Sequence, residues 1–104
     1  MKDILVVAKL KEGKFDKFMG FIKFEISNTF SEWEKSFYNH QPIARAAGIF
    51  QLYHGHAPEN EKKVCVILNC LSEEHMKSFM ASSEESIAAS GHILESTVTE
   101  IYTN

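Results

Sequence analysis

The sequence predicts an α+β fold, an antiparallel sheet with helices on one face, and three observations point to it. The runs Ile4-Leu5-Val6-Val7-Ala8 and Val64-Cys65-Val66-Ile67-Leu68 are unbroken apolar stretches, where a strand with one wet face would alternate. Large apolar residues recur at helical spacing after Thr29 and again after Ser72. From residue 21 the signals follow the order β-α-β-β-α-β, the split βαβ arrangement of ferredoxin-like domains. Two helices cover only one face of such a sheet. The second dry face needs another cover, and a second copy of the chain is the simplest source, so a homodimer is expected.

The elements are justified in order. Residues 3–11 read as a strand stopped by the charged turn Lys11-Glu12-Gly13-Lys14. Residues 15–22 fit either a helix, with Phe15, Phe18, Met19 and Ile22 on one face, or a returning strand, and Gly20 interrupts both. Residues 21–27 alternate as a strand, with Ile22, Phe24 and Ile26 on one face and Lys23 and Glu25 on the other. Thr29 and Glu32 form a capping box, and Phe30, Trp33 and Phe37 make the buried stripe of the helix that follows. Pro42 is expected to break or bend that helix, leaving residues 43–47 as a short second piece closed by Gly48. Residues 49–57 and 63–71 read as hairpin strands around the polar turn 58–62. Ser72 caps a helix with Glu73 and Glu74 in its first turn, Met76, Phe79, Met80 and Ile87 mark its apolar side, and Gly91 ends it. Residues 92–102 form the last strand.

The 104 residues suit a single domain, with 1–20 as an extra N-terminal strand or segment and 21–104 as the core. A hydrophobic share of 44% and eight Phe supply that core without metal or disulfide support. With a net charge of -3 and Arg45 as the sole arginine, no basic stripe is available to neutralise phosphates, and nucleic acid is excluded as a partner. No apolar run approaches the roughly 20 residues of a membrane span, and the N-terminus lacks a signal-peptide core, so a cytoplasmic location is expected. Cys65 and Cys70 lie five residues apart on one strand and point to opposite faces, which excludes a bridge between them and fits reduced, packed thiols.

No nucleophile elbow, Walker A loop, dinucleotide fingerprint or Cys-x-x-Cys pair occurs, so no cofactor is implied. His54-Gly55-His56 places two imidazoles on one face of a strand. That pair would hold a metal only if His92 or Glu95 supplied a third ligand, and an ordinary pair of strand-end histidines is the favoured reading. His92 follows the helix-ending Gly91, where an imidazole can bond the last helical carbonyls or act as a base beside Glu95 or Ser96. His40 and His75 fall among polar neighbours and are assigned to solvent.

Three stretches carry a family resemblance: Phe24-Glu25-Ile26-Ser27-Asn28-Thr29-Phe30-Ser31-Glu32-Trp33; Ala47-Gly48-Ile49 leading into Leu52-Tyr53-His54-Gly55; and Ser90-Gly91-His92-Ile93-Leu94-Glu95-Ser96-Thr97. Over residues 21–101 the chain resembles a family of small uncharacterised cyanobacterial-type proteins, and the resemblance implies a dimeric α+β barrel. Residues 1–20 depart from it. The wider barrel group, similar in architecture alone, includes cofactor-free monooxygenases, decarboxylases, muconolactone isomerase-like enzymes and ligand-sensing modules, and fold does not choose among them.

That plan implies a pocket between sheet and helices. Trp33, Phe37, Phe79 and Met80 would line its helix side, while Phe24, Tyr53, His54 and His92 would supply the floor and the polar groups. The first expectation is a homodimer holding an apolar or fatty-acid-like ligand, its polar end oriented by His54, Tyr53 or Arg45. The second is a cofactor-independent monooxygenase or isomerase with His92 or His54 as base.

Overall fold

A computed structural model describes residues 18–104. The strand expected at 3–11 lies outside the described residues. The elements are β1 (Phe18–Ile26), α1 (Phe30–Ala46), β2 (Ile49–Ala57), β3 (Asn60–Cys70), α2 (Glu73–Ser82), α3 (Glu84–Ala89) and β4 (His92–Thr103). All strand pairs are antiparallel in the order β2-β3-β1-β4, so the ferredoxin-like α+β fold expected from the sequence is present.

Alternation builds both faces of the sheet. In β1, Phe18, Ile22, Phe24 and Ile26 are buried toward the helices, and in β3, Val64, Val66, Leu68 and Cys70 do the same. The intervening Met19, Phe21, Cys65 and Ile67 are only half-buried, on the face that no helix among the described residues covers. That face is therefore apolar as well, which explains the unbroken run in β3. The core completes itself with Trp33 and Ala44 from α1, Ile49 from β2, and Met76 and Phe79 from α2.

Four element boundaries differ from the sequence expectation. Strand β1 begins at Phe18, three residues before the expected start; Gly20 lies inside it, where the Met76 sulfur packs so closely that a Cβ would sit 3.0 Å away. Helix α1 runs unbroken through Pro42. Proline removes one N–H, but the Tyr38 carbonyl left without its helical donor belongs to an exposed residue, where water can serve it. The β2–β3 turn is tighter than the expected 58–62, since β3 starts at Asn60. The single helix expected after Ser72 is two, α2 and α3, interrupted at Ser83.

Helix ends follow the predicted chemistry. The Thr29 side chain accepts from the Glu32 amide at 3.1 Å, and Glu32 accepts from the Thr29 amide at 3.1 Å. The Thr29 amide, and after it the Thr29 hydroxyl, hold the Glu32 carboxyl below its usual range by hydrogen bonding to it. The Ser72 hydroxyl accepts from the His75 amide. Gly91 adopts φ 107°, and a Cβ there would collide with the Asn28 carboxamide, which donates to the Ser90 carbonyl and ties the β1–α1 loop to the end of α3. Gly91→Ala is expected to destabilise the protein by about 2 kcal/mol or more, through left-handed strain and the lost Asn28 seat. Urea denaturation of the two proteins checks it; equal midpoints would refute the assignment.

Candidate functional site

A cavity of about 370 Å³ lies between the sheet and the helix layer. Its sheet wall is Ile22, Phe24, Ile49, Val66 and Leu68, and its helix wall includes Trp33, Phe37, Ala44, Phe79, Met80 and Ile87. Polar side chains enter at Ser36, Asn39, His40, Gln41, Ser86, Ser90 and His92. No Asp, Glu, Lys or Arg lines it among the described residues. A space of this character suits an uncharged ligand, because a buried charge without a counter-charge or metal is costly.

His92 is the central polar group. Strand β4 starts there, opposite Ile26, and pairs Ile93 with Glu25; the register then shifts, so that Lys23 faces Val98. The residues between are bulged out of the ladder. Within the bulge the Ser96 hydroxyl donates to the Ile93 carbonyl at 2.6 Å and accepts from the Glu25 amide at 2.8 Å. This fold-back brings Thr97 Oγ1 to 2.6 Å from His92 Nε2. The imidazole lies flat on Phe24, with ring centroids 3.7 Å apart and planes 5° from parallel, and is 7% exposed. Burial pushes its pKa down to about 4, so the ring is neutral at neutral pH. A threonine hydroxyl can donate or accept, so the pair can present either N–H or a lone pair at Nδ1, which has no hydrogen bond among the described residues.

Six of the eight residues expected at the site, Phe24, Trp33, Phe37, Phe79, Met80 and His92, line this one cavity. Tyr53 does not. A bulge at Leu52 in the β2–β3 pairing sets Tyr53 opposite Ile67 and His54 opposite Val66, so Tyr53 stands exposed on the helix-free face. His54 is on the helix side but behind the wall: Nε2 lies 2.7 Å from Glu34 Oε2, Nδ1 lies 3.1 Å from Gln51 Oε1, and the Phe37 and Trp33 rings stand 5.0 and 6.0 Å away. It braces the aromatic wall. Arg45 is exposed and absent from the cavity, so it orients nothing there.

The third ligand that a metal at the histidine pair would need is not brought near. His92 and Glu95 lie on β4 and the His54–His56 pair on β2, at opposite edges of the sheet, three strand spacings or roughly 14 Å apart. Among the described residues no group of three or more His, Cys, Asp or Glu side chains is gathered for a metal. Cys65 and Cys70 are free thiols on opposite faces, and burial pushes Cys70 up to about 11, a packed neutral group.

Sequence reasoning missed His40 and Gln41. Both line the cavity; the signal was their position seven and eight residues after Trp33, on the same helix face, which polarity and the expected break at Pro42 obscured.

Fold and cavity together define a small ferredoxin-like α+β protein with an uncharged, aromatic-walled site beneath its helices. The chain belongs to the family described as Domain of unknown function (DUF3764), whose model matches residues 19–104. No curated protein matches the sequence. Among solved structures, the chain is similar to an antibiotic biosynthesis monooxygenase candidate from Bordetella bronchiseptica, with TM-score 0.66 and 11% identity, covering 85% of this chain and 97% of that one. It is also similar to the monooxygenase of ActVA-Orf6 from Streptomyces coelicolor, solved with the ligand Nanaomycin D, with TM-score 0.56 and 14% identity over 88% and 89%. A third likeness is to SnoaB, a cofactor-independent oxygenase from Streptomyces nogalater, with TM-score 0.55 and 10% identity over 86% and 91%. At these identities the likeness is one of fold. No helix among the described residues is long and apolar enough to cross a membrane.

The His92 environment carries a pH signature. An unfolded imidazole takes a proton near pH 6.5, whereas the folded one resists until about 4, so stability is full above 6.5 and is lost as pH falls toward 4. Chemical denaturation across that range is expected to show the decline in the native protein and a shallower one in His92→Phe. Identical pH profiles would refute the buried neutral state.

Proposed function

We propose that this protein is a cofactor-independent oxygenase acting on an uncharged, flat, apolar substrate with an acidic C–H or O–H, bound in the cavity with its reacting end at His92. The carrying observation is the neutral imidazole, stacked on Phe24, hydrogen-bonded to Thr97 and set among aromatic rings without a charged neighbour in the lining. The oxygenases that share the fold support the choice of reaction class.

In such a reaction the substrate itself supplies the electrons. Proton transfer from a substrate CH2 group to His92 Nδ1 leaves a delocalised carbanion, which gives one electron to O2; the resulting radical and superoxide join through a C–O bond. The peroxide regains the proton and loses water across the C–H and O–O bonds. The net change is CH2 plus O2 to C=O plus H2O, and no other oxidant or reductant enters. The imidazole is a weak base, so the substrate must be one whose anion is well delocalised. Oxygen uptake with anthrone is expected in the native protein and to fall at least about a hundredfold in His92→Ala. Unchanged uptake in His92→Ala would remove the mechanism.

The same weak basicity favours a second reading, in which the cavity holds an uncharged apolar ligand without turning it over, with His92 as a neutral hydrogen-bonding handle. A fatty acid fits poorly, since no cation meets a carboxylate in the lining. Native mass spectrometry showing a retained apolar molecule, with no oxygen uptake across enolisable substrates, would select this reading.

The protein acts as a homodimer in either case. Phe50, Tyr53, Val98 and Tyr102 are exposed on the helix-free face beside the half-buried Met19, Phe21 and Ile67, an apolar patch that nothing among the described residues covers. Sedimentation at micromolar concentration is expected to give a two-chain species, and Ile67→Glu, which puts a charge on this face, to give single chains. A native single-chain species would refute the assembly.

A further inference from the structure

The cavity has a second polar end. Trp33 packs on Phe24 at 5.6 Å, and Phe24 stacks on His92, which places Trp33 at the His92 end. His40 is two helical turns further along α1, about 10 Å away at 1.5 Å per residue, beside Phe79 at 5.6 Å. Its Nε2 is 3.3 Å from the hydroxyl of Ser83, the buried residue at the break between α2 and α3. Next to it, Gln41 is only 9% exposed, donates through Nε2 to the Phe37 carbonyl at 3.2 Å, and leaves Oε1 without a hydrogen bond among the described residues. That oxygen is free to accept from a group in the cavity, which Gln41 lines. Elsewhere the lining is mainly hydrocarbon and aromatic rings, with Ser36, Asn39, Ser86 and Ser90 as its other polar members.

We infer that the cavity takes an elongated uncharged ligand with a hydrogen-bonding group at each end, one at His92 and the other, two turns of α1 beyond Trp33, read by His40 and Gln41. This rests on the reading of the cavity as the site. It narrows the substrate class to flat apolar molecules oxygenated at both ends, and gives the binding orientation: the Gln41 oxygen accepts from a hydroxyl while the imidazole, poised by Ser83, donates to or accepts from the same group. Ser83 acts through His40 as a positioning residue.

Trp33 is the sole tryptophan and lines the cavity, so its fluorescence reports occupancy directly. The probes are β-naphthol, with one hydroxyl, and the naphthalenediol with a hydroxyl on each ring at opposite ends. The native protein is expected to bind the diol about fivefold to tenfold more tightly than the mono-ol, the worth of one buried hydrogen bond. In a His40→Leu, Gln41→Leu double variant the ratio should fall to about one, and in Ser83→Ala to an intermediate value. A ratio near one in the native protein, or an unchanged ratio in the double variant, would overturn the inference while leaving the cavity as the site. Failure of both probes to quench Trp33 in the native protein would overturn both.

Discussion

The inward row of α1 is the constraint on which the rest of the structure depends. A helix laid on a sheet offers it one stripe of side chains, and in α1 that stripe changes character along its length, from Phe30, Trp33 and Phe37 to His40, Gln41 and Ala44. The first half packs: Trp33 meets Phe24 and stacks on Phe37 at 4.8 Å. The second half brings polar groups and one small residue to a place where a core would hold branched hydrocarbon. The cavity follows from that change, since neither α2 nor α3 supplies the missing bulk.

The His92 environment depends on a second irregularity, in β4. A regular strand paired with β1 along its whole length would set each β4 residue opposite one β1 residue and carry Thr97 away from His92. The bulge folds the segment back on its own Ser96 bonds and delivers the hydroxyl to the ring. Phe24 fixes the ring plane from below, so the imidazole is constrained by stacking, hydrogen bond and burial at once. It is neutral because apolar surroundings disfavour its cation, and it stays polar because one nitrogen is partnered and the other is not.

These two features mark the limit of what the sequence shows. Strands, caps and stripes were legible because each is local: the alternation of residues 21–27, the Thr29–Glu32 box, Ser72 with its acidic first turn, and the Gly91 stop all have partners within a few positions. The cavity-lining residues Phe24, Trp33, Phe37, Phe79, Met80 and His92 were legible as the apolar sides of those elements together with one histidine at a strand start. Tyr53 was misplaced because a single bulged residue, Leu52, decides which of its neighbours faces the helices, and alternation counted from either end of β2 gives opposite answers. His40 and Gln41 were missed because their meaning lies in Ser83 and Phe79, some forty residues away, and because Pro42 suggested an ending that an exposed carbonyl made unnecessary. The bulge in β4 has no sequence signature at all; it exists only relative to β1.

The two walls of the cavity differ in what holds them. The sheet wall is knitted by the unbroken β1–β3 ladder and the long β2–β3 hairpin, so displacing Val66 or Leu68 would break several backbone bonds at once. The helix wall is pinned mainly at its ends, by the Thr29 and Ser72 caps, by the Asn28 bond to Ser90 and by the Lys62 ammonium donating to the Asn28 carbonyl at 2.7 Å. Between those pins, α2 and α3 meet at Ser83 without a side-chain cap, and the hydroxyl that could have capped α3 faces His40 instead. The helix layer near Ser83 is therefore the less constrained of the two walls, while the His92 ring is carried by the sheet.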